Sequence, residues 1–90
     1  MDNKELHQEL LDYIHQLYIT KNNDYGSSVH DTYMKYGITS YLIRIEDKLN
    51  RVRTLTTKDR KVDDERVEDS LLDLANYAIL AVMELRQEDK

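Results

Sequence analysis

Residues 69–80 read DSLLDLANYAIL, and the spacing inside this stretch decides the fold. Leu71, Leu74, Ala75 and Ala78 recur at steps of three and four, the period of one helix face, while Asp73 and Asn76 interrupt them. On a wheel of about 100° per residue, Glu65, Asp69, Asp73 and Asn76 fall within an arc of roughly 80°. Val67, Leu71, Leu74, Ala75, Ala78, Val82 and Leu85 occupy the other side. Farther along, Leu80 and Met83 continue the polar arc with apolar atoms, so this half of the helix is expected to be buried all round. The acids therefore run inward, where a carboxylate must be paired, hydrogen-bonded or metal-bound. A buried structural ion pair meets that requirement as well as a ligand site does.

The same period extends outward along the chain. From Asn3 to about Asn22, Leu6, Leu10, Ile14, Leu17 and Tyr18 form one stripe, with Asp2 placed to cap the helix. KNNDYGSS (21–28) gathers turn formers and is expected to end that helix. SVHDTYMKY (28–36) reads as a short helix with Ser27 or Ser28 as cap and Gly37 as stop. A third helix is expected from Thr39 to about Thr56, with Ile38, Leu42, Ile45, Leu49 and Val52 facing the core. TTKDRKVDD reads as a charged loop, and the last helix starts near Asp63 or Asp64. With no proline, two glycines and 40% hydrophobic residues, the expectation is an all-α, four-helix single domain over residues 1–90. A core this small gains from a partner subunit, so a homo-oligomer is expected.

Composition also restricts function. Thirteen basic against eighteen acidic residues give a net charge of −5, which argues against binding a DNA or RNA polymer. Without cysteine there is no disulfide framework and no thiolate metal site. No apolar run approaches the roughly 20 residues needed to span a bilayer. The opening MDNKELHQELL is acidic and polar, unlike a signal peptide, so no membrane association and a cytoplasmic location are expected.

Two further stretches carry candidate chemistry. In YLIRIEDKLNRVRTL, Arg44, Asp47, Lys48 and Arg51 cover an arc of roughly 100° beside the apolar stripe. Cations clustered around one acid suit a half-buried anion site, because arginine offers a planar fork to phosphate oxygens and lysine a point charge. Neutralising Glu65, Asp69 and Asp73 across a helix interface would use the same residues. In KNNDYGSS, Lys21 suits a phosphate and Tyr25 can stack on a planar base, with Asp24 beside them as a further ligand contact. Asn76 and Tyr77 are the corresponding contacts on the last helix. His7, His15 and His30 share no spacing and are set aside as a zinc site, with His15 expected at the surface. Tyr13 and Tyr33 need no special role.

Together, KNNDYGSS, YGITSYLIRIEDKLNR and DDERVEDSLLDLANYAI resemble the nucleotide modification associated domain 1 family, found largely in phages and bacteria. That family is similar in turn to the all-α, MazG-like nucleoside triphosphate pyrophosphohydrolases. The resemblance implies a compact helical MazG-like unit, oligomerisation, and a site for a phosphorylated nucleotide between helices. In MazG-like enzymes an ExxE on one helix and an ExxD on the next bind magnesium, which takes oxygen ligands and bridges to phosphates. Carried over, Glu65, Asp69 and Asp73 are the metal candidates, and Asp47 and Asp73 the catalytic ones. Here the first helix has no ExxE; Asp47 sits among Arg44, Lys48 and Arg51. The leading expectation is therefore a nucleotide-binding protein, for example a phage protein that sequesters a nucleotide signal in the host cytoplasm. A Mg2+-dependent pyrophosphohydrolase is the enzymatic alternative, and an inert helical oligomer the structural one.

Overall fold

In the computed structural model, which describes residues 2–25, 28–57 and 64–88, four helices follow one another. They are α1 (Asn3–Tyr25), α2 (Ser28–Tyr36), α3 (Thr39–Thr57) and α4 (Asp64–Glu88), with no strand among the described residues. The fold is all-α. The loop expected at TTKDRKVDD lies for the most part outside the described residues, as do Gly26 and Ser27.

Local chemistry explains most of the boundaries. The Glu5 amide donates to Asp2 Oδ1 at 2.8 Å, so Asp2 caps α1 as its position suggests. α2 ends where Gly37 takes φ +71, and the Gly37 amide donates to the Tyr33 carbonyl at 2.7 Å. The next turn is held by the Ser40 hydroxyl, which donates to the Gly37 carbonyl at 2.9 Å. One boundary departs from expectation: α1 continues through KNNDY to Tyr25. Asparagine and aspartate only weakly disfavour helix, and the first glycine comes at Gly26. Lys21, within the expected span, lies on the face that meets α4.

α3 and α4 make the most extensive packing, with α1 laid against α4 and α2 against α3. The core is a cluster of Tyr33, Tyr41 and Ala81, with Val29, Ile38, Tyr77 and Leu80 packed on it. The Tyr33 and Tyr41 rings meet at 5.9 Å and 55°. These aromatic contacts turn α3 by about one position from the expected stripe. Tyr41, Arg44, Ile45, Lys48, Val52 and Leu55 face inward, while Leu42 is 53% exposed and Leu49 is also exposed.

α4 is likewise not buried all round. Its inner face presents Ser70, Asn76, Ala81 and Glu84, whereas Val82 is 48% and Leu85 46% exposed. Three shorter neighbours cover one side of a helix this long, and the apolar side is the one left outside. No helix among the described residues is long and apolar enough to cross a membrane.

Candidate functional site

The inner face of α4 borders a cavity of about 290 Å³. Helix period selects its floor: Asn76, Tyr77, Leu80, Met83, Glu84 and Gln87 recur at steps of one, three and four. Tyr18, Lys21 and Asn22 of α1 form one wall; Val29 and His30 of α2 and Tyr41 of α3 close the other. A second void of about 240 Å³ shares Tyr18, Asn76, Leu80 and Met83 with the first. Asn76 thus sits on the wall between two spaces, and it is only 5% exposed. No described residue bonds its side chain, and no buried side-chain polar atom is sealed without a partner, so the amide opens onto the cavity.

At one end of this space lies a small charge cluster. The Asp73 carboxylate takes Lys48 Nζ at 3.2 Å on one oxygen and Lys21 Nζ at 3.6 Å on the other. Two ammonium groups on one carboxylate leave a net positive charge beside the cavity. The Arg44 guanidinium lies 5.7 Å from the centre of the Tyr77 ring, which fixes that ring as a cavity wall.

At the opposite end the sign reverses. Glu84, 8% exposed, accepts from His30 Nδ1 at 2.9 and 2.8 Å on its two oxygens. A carboxylate only accepts, so Nδ1 carries the hydrogen. Burial pushes the Tyr41 phenol up to about 12, and the nearby Glu84 charge adds to that rise. Burial also raises Tyr33, and the nearby carboxylates of Glu88 and Glu84 add to that rise. Both phenols therefore stay neutral hydrogen-bonding groups at physiological pH.

The candidates from the sequence separate into groups. Lys21, Asn76 and Tyr77 line the cavity; Asp73 and Lys48 meet Lys21 at its end; Arg44 buttresses Tyr77. Asp47, Arg51, Glu65 and Asp69 are exposed. The side chains of Asp24 and Tyr25 lie outside the described residues. Lys48 does reach across to Asp73, but the cavity opens on the side of α4 that faces α1 and α2, not between the two charged arcs. The reason is the rotation of α3, which points Arg51 to solvent. Among the described residues no three histidine, aspartate or glutamate side chains converge on a point where a metal could sit.

Sequence reading missed Tyr18, His30, Tyr41 and Glu84. Glu84 was accessible in principle, since it lies eleven residues beyond Asp73 and eight beyond Asn76 on the same α4 face. His30 was not: its partner is 54 residues away in the chain, and no spacing rule links them.

A family model described as nucleotide modification associated domain 1 matches residues 21–85. No curated protein and no solved structure matches the chain.

Proposed function

The chain belongs to the nucleotide modification associated domain 1 family, and on that premise we propose that the cavity holds one phosphorylated nucleotide. The observation that carries this reading is the pair of lysines on the single carboxylate of Asp73, at the end of an aromatic-walled cavity. Their residual positive charge suits a phosphate, which lysine binds as a point charge. Tyr18, Tyr41 and Tyr77 offer apolar faces to a base, and Asn76 supplies one donor group and one acceptor to orient it. A volume of about 290 Å³ is close to the lower bound of about 300 Å³ for small-molecule sites, the scale of a mononucleotide and not of a polymer.

The residues present do not fit the magnesium cluster that a MazG-like relationship would imply. Magnesium requires converging oxygen ligands. Both Asp73 oxygens are engaged by ammonium groups, and Glu65 and Asp69 point into solvent. The reading is accordingly retention of an intact nucleotide, as in sequestration of a nucleotide signal by a phage protein inside its host.

Self-association belongs to the same reading. Leu71, Ala78, Val82 and Leu85 form an outward seam about 21 Å long on α4. The radius of gyration, 14.8 Å, exceeds the about 12 Å expected of a compact chain of this length. A second copy of the chain laid on that seam would bury what a single copy leaves open.

Incubation with mono-, tri- and cyclic nucleotides plus magnesium, followed by analysis of the supernatant and of the denatured protein fraction, tests the proposal. Intact nucleotide released only on denaturation is the expected outcome. Cleaved nucleotide with released pyrophosphate would replace it with the enzymatic reading, and no retained nucleotide would remove it.

A further inference from the structure

The cavity is polar in a directional sense, and this bears on which base it takes. Asp73 and Glu84 lie on one face of α4, about 16 Å apart along the helix axis. At the Asp73 level Lys21 and Lys48 outnumber their acid, whereas at the Glu84 level a carboxylate is paired only with the ring of His30. A nucleotide enters such a field in one orientation, with its phosphate toward the lysines and its base toward the carboxylate.

Glu84 is the unusual group here. It is 92% buried, yet its partner His30 is half exposed and sits on a different helix. The carboxylate presents two oxygens side by side and donates nothing. Its natural complement is a pair of adjacent N–H donors. Among the common bases, only guanine offers two donors next to each other on its pairing edge, the ring N1–H and the exocyclic amine. Adenine and cytosine place an acceptor beside the amine, and uracil and thymine flank their single N–H with carbonyl oxygens. An acceptor against the buried carboxylate would be repelled, so the same group both attracts one base and rejects the others.

Building on the nucleotide-binding reading above, we infer that the site selects guanine nucleotides, with the Glu84 carboxylate accepting from the base edge and His30 holding that carboxylate when no base is present. His30 now occupies both oxygens from the α2 side. Its exposed ring gives it room to swing outward and hand the carboxylate over. Asn76, one wall of the cavity closer to the lysines, is free to bond the remaining polar atoms of the ring system.

Titration calorimetry with the 5′-mono- and triphosphates of guanosine, adenosine, cytidine and uridine reads this directly. The guanine member of each series is expected to bind at least about tenfold tighter, the scale of one bidentate base contact. In Glu84→Gln, which replaces an acceptor oxygen with an N–H₂ donor, the guanine-to-adenine affinity ratio is expected to fall to near one. Circular dichroism of the variant checks that it folds. Equal binding of all bases by the wild type, or a preference unchanged in Glu84→Gln, would overturn the inference while leaving nucleotide binding in place. Absence of binding by every nucleotide would instead remove the underlying reading together with it.

Discussion

Asp73 is the residue through which this molecule is best understood. It occupies a helix position that packing would give to an apolar side chain, and it spends both oxygens on lysines from two other helices. The side chains of these pairs keep 21–38% of their surface in solvent, so their Coulomb energy is partly screened and contributes little to folding. Lys48→Met should therefore change stability by less than about 1 kcal/mol, as thermal denaturation would record. The same change should weaken nucleotide binding by about tenfold, since a hydrogen bond to a charged group contributes roughly 1.5–3 kcal/mol. Asn76→Leu separates the two roles in another way. No protein partner is lost, so stability should hold or rise, whereas nucleotide affinity should drop by an amount that calorimetry can resolve. A variant that lost stability without losing affinity would show Asn76 to be structural. Tyr41 gives a third handle. Its phenol ionises at about 12 in the folded chain against 10.0 unfolded, so neutral Tyr41 contributes stability fully below pH 10. That contribution disappears as the pH climbs toward 12, and melting temperature should fall across that interval, with a shallower fall in Tyr41→Phe.

At the level of the helices, hydropathy period reveals which segments are helical and where most of them begin and end. Asp2 and Gly37 could be assigned from residue type alone, because capping by a carboxylate and a left-handed glycine are local chemistry. Gly37 has open space where a Cβ would go, so Gly37→Ala meets no clash, only the backbone penalty of φ +71. A loss of about 1 kcal/mol is expected, a fall in melting temperature of roughly 4–8 °C if unfolding is two-state. Rotation about the helix axis was less legible. For α3 the aliphatic stripe through Leu42 and Leu49 suggested one face, but Tyr41 and Arg44 meet aromatic partners on α2 and α4 and bring their own face inward. Large amphipathic side chains can outweigh leucines in this way, since they bury their bodies and keep their polar ends satisfied. The charged arc on α3 was therefore visible in the sequence, while the depth at which Lys48 and Arg51 differ was not. For the same reason the pair formed by His30 and Glu84 became apparent only with the tertiary arrangement.

The whole molecule is a thin-cored bundle with an apolar outer seam and a polar, aromatic interior cleft. No large side chain among the described residues is fully buried, which is unusual for a stable independent unit and is the physical argument for a second copy. Light scattering of the protein in solution should report a dimer or larger assembly, and Val82→Glu with Leu85→Glu should shift it toward monomer with loss of stability. A monomeric wild type would show the exposed seam to be tolerated as it stands. The central claim, that the cleft retains an intact nucleotide, is tested most directly by mass analysis of what the protein holds after incubation with a nucleotide panel and magnesium. The account expects an unaltered nucleotide recovered from the denatured protein, and no pyrophosphate in the supernatant. Pyrophosphate release, or a denatured fraction free of nucleotide, would contradict it.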